Sequence, residues 1–166
     1  DIFKSKLFSI SIFCAFLSFV AIFCLLIVNP FYLHYTMEYT PAFTGLLMMF
    51  YSVVLTITAL FSGILSDKVS SEFLIILGLV VMAIGFFLMT LLNASTPVPM
   101  FLALTAIIGF GAGLFQSPNN SLVMSSVSKD KLGIAGSVDA LVRNIGMTVG
   151  ISVATILLYN RMSYKA

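Results

Sequence analysis

GFGAGLFQSPNNSLVMSSVSKDKLGIAGSVDALVRNIGMTVG, residues Gly109 to Gly150, consists of two apolar runs joined by the charged link Lys129-Asp130-Lys131. Inside those runs lie Gln116, Pro118, Asn119, Asn120, Asp139, Arg143 and Asn144. A spanning helix needs roughly 20 mostly apolar residues, and both runs meet that length without the strict alternation of a barrel strand. They read as two spanning helices that carry an acid and a base four residues apart. Those charges need a reason for being there.

The rest of the chain agrees with that reading. Hydrophobic residues make up 60% of the sequence and charged residues 8%, with a mean hydropathy of +1.14. Soluble domains carry about 25% charged residues, so a soluble globular class is excluded. The bilayer core offers no water to backbone groups, and long continuous runs satisfy them as helices. The net charge of +2 is too small to argue for nucleic acid. The chain begins at Asp1 rather than Met, and it reads as a piece of a longer protein. The run from Leu7 to Val28 is longer than the roughly 7–15 residues of a signal-peptide core. Cys14 and Cys24 lie in that run and read as packing thiols, and His34 is the single histidine, so no metal site is expected.

Taken in order, the chain reads as five spans at about 7–35, 41–65, 73–92, 100–125 and 132–159, a single all-α transmembrane domain. Pro30 falls late in span 1, where a kink is expected because the bond to the Leu26 carbonyl is lost. Thr40-Pro41 reads as an N-cap followed by proline in the first turn. Span 2 ends in Gly63-Ile64-Leu65-Ser66-Asp67-Lys68, and span 3 is free of charge. Asn93 to Pro99 breaks the chain before span 4. With the N-terminus inside, Lys4, Lys6, Lys68, Lys129 and Lys131 are cytoplasmic and only Arg161 and Lys165 are outside, five against two.

Gly109-Phe110-Gly111-Ala112-Gly113 has the look of a dinucleotide loop, but no strand precedes it and no βαβ unit surrounds it. Small residues four apart let helices approach closely in lipid, so Gly109 with Gly113, and Gly146 with Gly150, are packing positions. Asp139 and Arg143 each cost roughly 2.5–3.5 kcal/mol at a helix centre. At i, i+4 they share a face in the favourable order. They are either a self-neutralising structural pair or part of a cavity lining. Counting outward from the link near residues 128 and 129, Asn119 and Asn120 lie level with Asp139, and Gln116 nearly level with Arg143. At about 1.5 Å per residue this polar layer is on the order of 10–20 Å inside the helix ends. Pro118 is expected to kink and interrupt the last third of span 4, and it frees the carbonyl of Leu114 in the same layer, as is tolerated beside protein or a cavity. No nucleophile–base set or metal cluster appears, so neither an enzyme nor a cofactor is expected.

These residues resemble the major facilitator superfamily, and in particular its multidrug-type proton antiporters with fourteen spans. The resemblance rests on Pro30-Phe31-Tyr32-Leu33, on Gly63 with Asp67-Lys68, on Gly109 through Asn120, and on Gly136-Ser137 through Arg143-Asn144-Ile145-Gly146. It implies most of a C-terminal six-helix half, with spans 1, 2, 4 and 5 around a central cavity and span 3 outside. It further implies alternating access by rocking against an N-terminal half that supplies most proton-coupling acids. Gly63, Asp67 and Lys68 would form a cytoplasmic gate loop. Here the sequence departs from the family, because Ser70, Ser71 and Glu72 follow where glycine and two basic residues are expected. Asp139 stands where the resemblance implies an amide. The function implied is proton-coupled efflux of amphipathic molecules across the bacterial plasma membrane. Gln116, Asn119, Asn120, Asp139, Arg143 and Asn144 would line the pathway. The alternative is a transport-incompetent remnant or subunit that acts only through helix packing.

Overall fold

The computed structural model describes residues 5–66, 68–93 and 95–163. Five helices cover them: α1 (Lys6–Phe31), α2 (Pro41–Leu65), α3 (Ser71–Met89), α4 (Val98–Ser125) and α5 (Leu132–Ser163). All five are long and apolar enough to cross a membrane, α1 with its extension reaching Thr36. No strand occurs among the described residues. The fold is that of an all-α integral membrane protein. Large apolar side chains such as Phe61, Phe87 and Ile156 point outward, as lipid rather than water requires.

Local chemistry sets the helix ends. The Ser5 hydroxyl accepts from Phe8 N at 3.4 Å, and the Thr40 hydroxyl accepts from Phe43 N at 3.4 Å with Pro41 beginning the first turn. Glu72 lies in the first turn of α3, where the free backbone N–H groups favour an acid. After Met89 the chain tightens, each of Thr90, Leu91 and Leu92 donating to the carbonyl three residues back. Asn93 then closes the turn, its side-chain oxygen accepting from Ser95 N at 3.0 Å.

Helix α1 continues through Pro30, and the chain is then wound as a π turn over Tyr32–Thr36. A proline lacks the N–H that the regular ladder needs, so a change of winding follows it. Reversal into α2 passes through Glu38, whose φ of 56° is left-handed. That turn is held by Tyr39 N donating to the Leu33 carbonyl at 3.1 Å, with His34 Nδ1 3.0 Å from the Tyr39 carbonyl.

Contacts gather the helices into two units. The first holds α1, the last turn of α4 and α5, and the second covers Leu33–Ser121. In the first unit a cluster of Phe8, Ile12, Val123 and Ala135 is packed by Met124, Val127, Val138 and Val142. Further along, α5 meets α1 through glycine. A Cβ on Gly146 would lie 3.0 Å from Phe19 Cβ, and one on Gly150 would lie 2.5 Å from the Val20 carbonyl.

In the second unit α4 packs on two partners. Gly109 and Gly113 face α2, where a Cβ at Gly113 would lie 2.7 Å from Thr58 Cβ and 2.8 Å from the Leu55 carbonyl. Gly111 is about 200° around the helix from Gly109 and meets Gly78 and Met82 of α3 instead. Alternating glycines thus serve opposite faces. In lipid, where no hydrophobic force drives helices together, such close backbone approach supplies the packing.

Candidate functional site

The polar side chains inside the spans form one set in each unit. In the first, the i, i+4 spacing on α5 brings Asp139 and Arg143 together: Arg143 Nη2 donates to Asp139 Oδ2 at 3.3 Å. Asp139 is buried at 7% exposure. The guanidinium also lies over the Phe19 ring of α1, 5.0 Å from its centroid, a cation–π arrangement. Arg143 Nε is buried without a hydrogen-bond partner. So are Ser18 Oγ and Asn29 Nδ2 on the buried face of α1.

Asn144 is exposed, on the side of α5 away from Gly146 and Gly150. It belongs to a stripe that the sequence reading missed: Ser137, Asn144, Thr148, Ser152 and Thr155 recur at three-, four- and seven-residue steps. The hydroxyls of Ser137, Thr148, Ser152 and Thr155 each donate to the carbonyl four residues back, at 2.8–2.9 Å. This satisfies them within the helix. The spacing alone could have revealed the stripe, because these positions fall within one narrow arc of a 3.6-residue helix.

In the second unit α4 runs unbroken through Pro118, which is fully buried. The Leu114 carbonyl that Pro118 leaves without its ladder donor accepts a hydrogen bond from Ser62 Oγ of α2 at 3.1 Å. One turn on, Asn119 is 1% exposed and its Oδ1 has no partner. Gln116 and Asn120 are half-buried beside it in sequence. The hydroxyls of Thr44 and Tyr51 on α2 are likewise buried and unpartnered. The pathway residues on α4 and those on α5 belong to different units, and the pairing seen directly is Asp139 with Arg143.

Of the gate-loop residues, Gly63 lies in the last turn of α2, where a Cβ would come 3.0 Å from Ser117 Oγ. Lys68 is exposed, its backbone N donating to the Leu65 carbonyl at 2.9 Å. Asp67 falls outside the described residues.

Ser62 yields a first prediction. Ser62→Ala removes the donor to a carbonyl that has no ladder partner, and an unsatisfied buried acceptor costs about 1–3 kcal/mol. The protein's melting temperature in detergent should fall. An unchanged melting temperature would show that the Leu114 carbonyl finds another donor.

The family profile described as Major Facilitator Superfamily matches residues 8–166. The chain is 32% identical to the uncharacterized transporter YebQ of Escherichia coli over 158 residues, covering 95% of this chain and 35% of that protein. It is 30% identical to the multidrug transporter protein MdtP of Bacillus subtilis, over 91% of this chain and 28% of the relative. It is 29% identical to the riboflavin transporter RibZ of Clostridioides difficile, over 82% of this chain and 30% of the relative. The chain therefore spans about a third of the length of these curated relatives.

Proposed function

The chain belongs to the Major Facilitator Superfamily, and on that premise we propose that it forms part of a secondary active transporter exporting small amphipathic molecules. The relatives named above are transporters, one of them a multidrug transporter. In this reading export proceeds by alternating access and is driven by protons. The chain contributes most of a C-terminal half in a fourteen-span protein of the cell membrane, and its spans act together as one domain. Its first helix enters from the cytoplasm, and an N-terminal half completes the pathway.

The observation that carries the reading is the charge pair held inside α5. Asp139 and Arg143 are kept in an apolar helix at a cost of a few kcal/mol, and Asn119 is buried with its side-chain oxygen unpartnered. Lipid alone gives no return for such groups, whereas a polar pathway does. Gln116, Asn119, Asn120, Arg143 and Asn144 supply polar contacts there, and the Phe- and Met-rich walls take apolar bodies. Gly63, Asp67 and Lys68 form the gate loop.

The test is dye efflux from cells that lack their own pumps and express the protein carrying this chain. A panel of anionic, neutral and cationic dyes should include members that accumulate several-fold less than in control cells, and a protonophore should restore their accumulation. Unchanged accumulation of every dye would overturn the transport reading. Efflux insensitive to the protonophore would overturn proton coupling alone.

A further inference from the structure

We propose that this site takes amphipathic anions, an apolar or aromatic body bearing a carboxylate, sulfonate or phosphate, and that Asp139 is the counter-ion with which the anionic head competes for the donors of Arg143. The inference rests on the transport reading above and names the substrate class of that same site.

Access is the first argument. Among the described residues, Asp139 and Arg143 are the charged side chains in the interior of the helices. The two are unequally reachable, with 9% of the Asp139 side chain exposed and 33% of the Arg143 side chain. The charge open to a visitor is therefore positive. A cation approaching this pair meets the guanidinium, and an anion meets a donor fork.

Valence is the second. A guanidinium presents five N–H donors in one plane and prefers to grip a carboxylate with two of them. Asp139 engages Nη2 alone, at 3.3 Å, longer than the roughly 2.7–2.9 Å of a good charge-assisted bond. Both residues are fixed one turn apart on the same helix, which limits their mutual orientation. A free anionic head has no such restraint and can form two short bonds where Asp139 forms one long one. The Phe19 ring, itself buried, lies 5.0 Å from the guanidinium carbon and backs it from the α1 side. The Asp139 pairing thus keeps Arg143 neutralised when no ligand is bound, and its single long bond leaves the guanidinium with donors to spare for a second acceptor.

Competition of this kind gives the two members of the pair opposite mutational signs. The full protein carrying this chain is placed in phosphatidylcholine nanodiscs and dialysed to equilibrium against pyrenebutyrate and against pyrenebutyl-trimethylammonium, with empty discs subtracted. Wild type should bind the anion at least tenfold more tightly than the cation. Arg143→Ala should erase that preference and Arg143→Lys should keep part of it. Asp139→Asn should tighten anion binding several-fold, because the competitor is gone. The charge-free variant Asp139→Asn with Arg143→Gln, which leaves no buried charge to unfold the site, should bind both probes alike.

A wild type that prefers the cation, or an Asp139→Asn variant with weakened anion binding, overturns the proposal. Phosphatidylglycerol added to the discs separates two sources of the anion. Competition at wild type but not at Arg143→Ala assigns a lipid headgroup to the site, and no competition assigns solutes. Dye export without charge preference would sink this inference and leave transport standing. Anion binding in a protein that exports no dye would do the reverse.

Discussion

Replacing Arg143 by alanine should lower the thermal stability of the protein in detergent and abolish the proposed dye efflux, while adding Asp139→Asn should restore the stability and leave efflux abolished. The asymmetry follows from burial. Asp139 is 7% exposed, and deleting its partner leaves a buried carboxylate uncompensated, at roughly 3–5 kcal/mol for a fully buried pair. Arg143 keeps a third of its side chain exposed, so the lower end of that range applies. Removing both charges instead brings stability close to the starting value, because a buried pair gains little over uncharged groups of similar size. If the pair were only a brace for α5, efflux would return together with stability in the double variant. Thermal unfolding, read beside efflux per unit of protein in the membrane, separates the two roles. Recovered efflux in the double variant would remove Arg143 from the pathway.

The spans were legible because the bilayer imposes the same demand on every segment that crosses it. Continuous apolar runs separated by Glu38–Pro41, Ser66–Ser70, Asn93–Pro99 and the Lys129–Lys131 link could form only spanning helices. The Asp139–Arg143 contact was legible for a similar reason, since i, i+4 on one helix requires no knowledge of any other helix. What depends on a second helix was hidden. Pro118 announces a freed carbonyl, but the donor is Ser62, 52 positions earlier in the chain, in a helix with other serines and threonines that look the same. Four-residue spacing singles out Gly109 and Gly113, yet Gly111 approaches Gly78 just as closely. Spacing within α4 carries no information about where α3 is also small. The π turn after Pro30 was equally invisible, because apolar periodicity is the same on both sides of it.

Gly150→Leu should prevent the α1–α5 pair from closing, with the largest loss of stability expected for any single glycine of the first unit. Even one added carbon has no room: a Cβ at Gly150 would lie 2.5 Å from the Val20 carbonyl, 3.1 Å from Phe23 Cβ and 3.2 Å from Cys24 N. Two of these neighbours are backbone atoms, so no rotamer change relieves the contact and the helices must part. Overpacking of this kind costs about 1–3 kcal/mol for a small group, which sets the expectation for Gly150→Ala, and leucine exceeds it. Gly133 in the same helix is the control, because a Cβ there meets nothing within 4 Å. Gly133→Ala should leave the protein unchanged or stabilise it by up to about 1 kcal/mol through helix propensity. Melting curves of the three variants in one detergent decide the matter. If Gly150→Ala melted with Gly133→Ala, close approach at Gly150 would not hold α5 to α1. Opposite shifts would show that two glycines of one helix, identical in sequence terms, differ only in what the neighbouring helix places against them.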